Sequence, residues 1–265
     1  MRELLTIFAV VILSTPLVAA EPKFIAIIID DVGNSLDRGE RAIALPAPIT
    51  ISVLPHSRYG PRLAQRASAA GKEVMVHMPM ANISGKPIGP MGLKSAMSHE
   101  DFTILINRAL AEIPGARGIN NHMGSYLTQQ AKEMEWLMDV VKRRNLFFID
   151  SRTTPRSIAS RVAERMSVFS SIRDVFLDNN QTFFEIDQEF RRLVHTAEVR
   201  GTAIAIGHPH AITLDYLEMV IPQLDDKGIR VIPASNLIAI QKMTKYQFAR
   251  RQTNTNAGST FPGAE

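Results

Sequence analysis

The sequence contains no cysteine. That excludes a disulfide framework, thiolate-ligated zinc, iron–sulfur clusters and thiol nucleophiles, and leaves any metal to imidazole and oxygen ligands. Aromatic residues are scarce too. One Trp and four Tyr in 265 residues offer no long platform for stacking on sugars. Neither sign of charge dominates: 30 Lys+Arg against 26 Asp+Glu leave +4. No basic run is interleaved with aromatics, so nucleic acid is not an expected partner despite an isoelectric point near 9.5. With 45% hydrophobic and 21% charged residues the chain is neither disordered nor collagen-like nor a polytopic membrane protein.

The ends differ from the middle. Leu4 to Ala20 is an apolar stretch, shorter than the ~20 residues of a membrane span. It closes on Val18-Ala19-Ala20 before Glu21-Pro22. Small residues three and one before a break suit signal peptidase, so residues 1–20 read as a cleaved secretory signal, with an uncleaved N-terminal anchor as the alternative. The expected location is periplasmic or secreted, with membrane contact only if that segment stays. Residues 21–241 form the expected single domain. Residues 242–265 lack an apolar period and read as a flexible polar tail.

Between these ends, short apolar runs alternate with helical periods. The expected strands are Phe24–Ile29, Ile49–Leu54, Glu73–Val76, Gly118–Ile119, Leu146–Ile149, Val175–Leu177, Thr202–Ile206 and Arg230–Ile232. Most are continuous rather than alternating, the pattern of strands buried on both faces. One helix is expected after Ser98, with Asp101 at capping-box spacing and an apolar stripe from Phe102 to Ile113. Others cover 129–144, the region of Phe190 to Ala197 before Gly201, and Tyr216 to a C-cap near Gly228. Repeated β-α units imply a parallel sheet, open or closed into a barrel. The first strand runs into Asp30-Asp31-Val32-Gly33-Asn34 rather than a glycine-rich phosphate loop, which argues against nucleotide binding.

Strand ends carry the chemistry. They bear Asp30-Asp31, His77, Asn120-Asn121-His122, Asp150-Ser151-Arg152, Asp178-Asn179 and His208-Pro209-His210. In a parallel α/β protein these meet at one rim, where such folds place their sites. His99 and His195 fall on expected helices as surface residues, and His56 is ambiguous. Two imidazoles and a carboxylate suit a divalent metal with open positions for water and substrate. Adjacent aspartates let one ligate while the other stays free as a base. Capping of the next helix is the other reading of that pair, and it leaves the histidines unexplained.

Five segments together, over roughly Lys23 to Gln241, resemble the divergent polysaccharide deacetylase family, a branch of the superfamily that includes carbohydrate esterase family 4. They are Ile27 to Gly33, His77-Met78-Pro79-Met80, Asn120 to Ser125, Phe148 to Thr153, and Gly207 to His210. The resemblance implies a distorted (β/α) barrel of about seven parallel strands with a divalent metal, commonly zinc, at the strand C-terminal ends. It assigns Asp30 as base and Asp31 and His77 as ligands. The superfamily's second histidine falls on Ala81, so His122 is expected to replace it. No arginine occupies the superfamily's arginine motif, so that role is unfilled or taken over by Arg152. His208 or His210 is the implied general acid. Asp150 would orient a histidine or tune the base. Asn120, Asn121 and Ser125 would bind sugar hydroxyls.

The implied reaction is removal of an N- or O-acetyl group from an envelope carbohydrate or peptidoglycan-like substrate. A non-catalytic glycan-binding protein that kept the fold is the alternative, motivated by Ala81. A phosphoester hydrolase ranks lower, because no Arg or Lys cluster marks the rim, although Arg152 and Arg156 are close. The stretch from Gly85 to Gly92 reads as a loop over that rim.

Overall fold

Continuous apolar runs cannot tolerate water on either face, and the chain resolves this by curling its strands round a shared interior. The computed structural model describes residues 22–257. Strands and helices alternate: β1 (Lys23–Val32), α1 (Leu36–Ala44), β2 (Thr50–Val53), α2 (Gly60–Ala69), β3 (Glu73–Met80), α3 (His99–Glu112), β4 (Gly118–Met123), α4 (Ala131–Arg143), β5 (Phe147–Asp150) and α5 (Ala159–Arg165). There follow β6 (Phe169–Ile172), β7 (Val175–Phe176), α6 (Phe183–Arg200), β8 (Thr202–Gly207), α7 (Ala211–Val220), β9 (Ile229–Val231) and α8 (Ala234–Ala257). No helix among the described residues is long and apolar enough to cross a membrane.

Every strand pairing is parallel, in the order β6-β5-β4-β3-β2-β1-β8-β7. β9 pairs with the start of β1, below the point where β2 joins it. The sheet's two edges, β6 and β7, are separated in sequence only by Arg173 and Asp174. Arg173 N–H donates to Asp150 O on one side and Asp174 N–H to Ile204 O on the other. One bent segment therefore spans the gap between the edges, and the architecture is a distorted (β/α) barrel in a single α/β domain.

The two strand faces divide the core. Ile25, Ile27, Ile29, Val74, Val76 and Met78 pack outward against the helices. Ala26, Ile28, Met75, Ile149, Ile204 and Ile206 fill the interior. The period of two then carries Asp30, His77, Asn120 and His208 onto the inward face near the strand C-terminal ends. At the opposite end the interior is plugged by Ala234, Leu237 and Ile238 of α8. The barrel itself caps that helix: Ala234 N–H donates to Thr50 Oγ1 and Ser235 N–H to Glu73 Oε1.

Several boundaries differ from expectation, and the barrel has nine strands rather than about seven. β3 and β4 run on to Met80 and Met123, because their polar ends still find ladder partners on each other. β6 is Phe-Ser-Ser-Ile, too polar and too short to show as an apolar run. α7 stops at Val220 because Pro222 cannot continue it, and Gly228 closes a later 3₁₀ turn instead. Ser98 does cap α3, accepting from Asp101 N–H. The residues expected to form a tail from 242 are helical as far as Ala257, since neither Gly nor Pro interrupts them. Residues 1–20, expected as a secretory signal, lie outside the described residues.

Candidate metal centre

Two neighbouring residues of a regular strand face opposite ways, so Asp30 and Asp31 should not share a site. The end of β1 breaks that rule. Its register with β2 slips between Ile29 and Val32, and Asp31 takes φ 56°, a left-handed conformation. Asp30 continues the inward face and is buried. Asp31 turns back over the rim. Met123 (φ 54°) and Arg152 (φ 45°) carry the same strain at the ends of β4 and β5. Strained backbone of this kind persists where the surroundings over-determine it, commonly at functional sites.

Asp31 Oδ1 lies 2.8 Å from His122 Nδ1 and 3.1 Å from His77 Nε2. The two nitrogens are 3.2 Å apart. Asp31 Oδ1 is nevertheless a buried oxygen at which no donor points. A carboxylate and two imidazoles crowded without a donor between them have lone pairs converging on one point. That N₂O set fits a divalent cation and leaves coordination positions open. Burial pushes the Asp31 carboxyl up, but the adjoining His122 and His77 rings outweigh it and hold it well below the usual carboxylate range. Burial alone would push His77 down, yet Asp30 and Asp31 carry it upward.

Asn120 organises the buried side of this cluster. Its Oδ1 lies 2.7 Å from His77 Nδ1 and accepts from Ser52 Oγ at 2.8 Å, and its Nδ2 donates to Asp30 Oδ1 at 2.7 Å. Oδ1 can only accept, so His77 Nδ1 carries the proton and Nε2 presents its lone pair at the rim.

On the other side stands His208. Asp178 Oδ1 lies 2.9 Å from His208 Nδ1, and Asp178 Oδ2 accepts from His208 N–H and Thr213 Oγ1. The Phe176 ring stacks on the imidazole at 5.3 Å. His208 Nε2 is left facing Asp31 Oδ2 at 3.9 Å. Burial opposes the charged ring, but Asp178 prevails and the pKa is pushed up to about 9. Asp178, His208 and His210 also lie within ligand distance of one another. There, however, both carboxylate oxygens are already engaged. His210 is set back, with Nε2 3.2 Å from Gln181 Nε2.

Other expected site residues serve differently. Asp150 accepts from Arg152 N–H and Ser157 Oγ, which shapes the loop after β5, and no histidine bonds to it. Asn121 is buried, donating to Met123 O and accepting from Ser151 N–H, so it ties β4 to β5. Asn120 is wholly buried, away from any sugar hydroxyl. Ser125 Oγ accepts from Ile83 N–H and anchors the loop after β3. Arg152 is exposed and makes no contact with Asp30; the Asn120 amide is there instead. His56 lies away from the cluster, paired with Glu112. His99 and His195 are exposed on α3 and α6. Sequence reasoning missed the partnership of Asp178 with His208 and the role of Ser52. The order of the last strands, β7 beside β8, was the signal for the first.

Comparison with known proteins fits this geometry. Residues 27–238 match the family model described as divergent polysaccharide deacetylase. The uncharacterized protein YibQ of Escherichia coli is 36% identical over 237 residues, spanning 89% of this chain and 73% of that one. A crystal structure of an uncharacterized protein from Agrobacterium tumefaciens superposes with a TM-score of 0.79 at 23% identity, covering 84% of this chain and 92% of that one. The peptidoglycan deacetylase PdaC of Bacillus subtilis, as a point mutant, superposes at 0.51 and 16% identity, over 87% and 97% of the two chains.

Proposed function

Because this chain belongs to the divergent polysaccharide deacetylase family, we propose that it is a metal-dependent hydrolase removing acetyl groups from an envelope carbohydrate, and that it acts in the periplasm or after secretion. The location rests on residues 1–20 and their signal-like end. The activity rests on one observation: Asp31 Oδ1, His77 Nε2 and His122 Nδ1 converge, with Asp30 and His208 nearby. Ala81 removes the superfamily's second histidine, and His122 from the next strand supplies an imidazole in the same cluster. That favours catalysis over a glycan-binding protein without activity.

Asp31, His77 and His122 would hold the metal. A divalent ion such as zinc, when bound, lowers the pKa of water and polarises a carbonyl. The chain's own groups do the rest. Asp30, held by the Asn120 amide, takes the proton from the attacking water. His208, protonated at neutral pH and backed by Asp178, gives a proton to the departing amine or alcohol as the C–N or C–O bond breaks. Acetate and the deacetylated sugar leave, which balances the addition of one water. Purified protein should contain a divalent metal and release acetate from acetylated saccharides. Asp30→Asn should keep the metal and lose about 10²–10⁴-fold in kcat. Metal-replete wild type that releases no acetate from any acetylated glycan would overturn the assignment.

A further inference from the structure

The loops that leave the strand C-terminal ends differ in charge from the rest of the chain. The loops after β1 to β5, β7 and β8 contain Arg58, Lys86, Lys94, Arg152 and Arg156. Their one carboxylate is Asp178, buried and engaged by His208 and Thr213. All five cations are exposed, as is Arg38 in the first turn of α1. None of the six forms an ion pair among the described residues; Arg58 lies over the Tyr59 ring. Acids do begin several helices nearby. Asp101 and Glu185 are bound in helix caps and Glu133 is buried, which leaves Asp37 and Glu100 exposed.

Two clefts hold three of these cations. One, of about 190 Å³, is lined by Asp31 and His208 of the cluster and by Asn34, Ser35 and Arg38. The second, of about 490 Å³, lies in the loop after β3 and holds Lys86 and Lys94 beside Asn82. That loop continues from the strand bearing His77 and is pinned to the end of β4 by Asn82 Nδ2 on Met123 Sδ and by Ser125 Oγ on Ile83 N–H. Ala81 in its wall is four residues beyond His77, about 13 Å along an extended strand. One cleft thus joins the metal cluster to the first turn of α1, and the other lies in the loop that continues from the strand bearing His77. The charged groups lining the second cleft are Lys86 and Lys94, and walls of one sign concentrate ligands of the opposite sign.

We propose that the substrate is an acidic glycan, whose carboxylate or phosphate groups flank the acetylated residue and are met by Arg38 on one side and by Lys86 and Lys94 on the other. This rests on the deacetylase reading and narrows it. Carboxylates on neighbouring sugars supply the counter-charge that these loop cations lack. Paired charge-assisted hydrogen bonds at exposed positions are worth on the order of tenfold in affinity each.

The test uses an N-acetylated oligosaccharide bearing carboxylates and its carboxyl-reduced counterpart. Binding of both is measured with metal-free protein, and acetate release with metal-replete protein. The acidic form should bind at least tenfold tighter, with an advantage that shrinks as salt rises. Arg38→Gln and the pair Lys86→Gln/Lys94→Gln should each cut that ratio severalfold. Arg230→Gln, at the opposite end of the barrel, should leave it intact. Equal binding of the two saccharides overturns the proposal, as does an equal effect of Arg230→Gln. Acidic preference without acetate release keeps the proposal and removes the deacetylase reading. Acetate release without preference does the reverse.

Discussion

Asn120 makes three short hydrogen bonds, each with a different consequence. The contact with His77 fixes a tautomer, the one with Asp30 fixes a base, and Ser52 fixes the amide. Replacing it with Ala should weaken zinc binding by about 10–100-fold, read by chelator competition. Asn120→Asp should do harm of another kind. It replaces a donor to Asp30 by a like charge, so folding as well as metal uptake should suffer. His208 adds a pH dependence. Its folded pKa of about 9 lies above the ordinary value of 6.5. Its contribution in metal-free protein is therefore complete below that ordinary value and disappears as pH rises through about 9. It amounts to roughly 3 kcal/mol at most. Denaturation of metal-free wild type and His208→Gln should show a stability gap at about pH 6 that closes by about pH 10. A gap independent of pH would locate the effect of His208 in packing on Phe176.

At the scale of the element, the turn after β1 sets the site. A Cβ on Gly33 would meet Ser57 Oγ at 1.9 Å, and the backbone there has φ 137°. Gly33→Ala must move the 54–59 loop or the bulge that aims Asp31. We expect a loss of about 1–3 kcal/mol in urea denaturation, together with poorer metal retention. This element was half legible in the sequence. The Asp-Asp-Val-Gly run after an apolar strand announced a site. Nothing in it announced a bulge, and without the bulge the alternation of a strand would have sent the two carboxylates apart. His77, His122 and the pair His208 and His210 stood out for a simpler reason, as imidazoles following strand-like runs, and the spacing did not choose between the last two. Asn120 looked like a sugar ligand because its burial depends on Ser52 and Asp30, which are distant in sequence. β6 was invisible, since a closing strand half exposed needs no apolar pattern. The cationic rim was hidden because its members come singly, from loops far apart in the chain.

The whole molecule is a barrel with a polar mouth and an apolar floor. Leu237 and Ile238 are fully buried in that floor. Leu237→Ala should cost about 2–5 kcal/mol. Beyond Gln241 the visible side chains of α8 are exposed or partly so, with Lys242 and Lys245 reaching Val168 O and Glu164. Truncation after Gln241 should therefore be mild by the same assay, and truncation before Ala234 severe. The helix thus divides at about that point into a plug and an outer arm.

The plug has a consequence for the order of assembly. Ala26 and Ile28 lie near the start of the described chain, yet the residues that cover them from below, Leu237 and Ile238, come almost last. A chain that has paired β1 with β2 but lacks α8 cannot shut its own interior. Among the described residues the floor is supplied by α8, so closing the interior joins the first strand to the last helix, the longest sequence separation in the barrel.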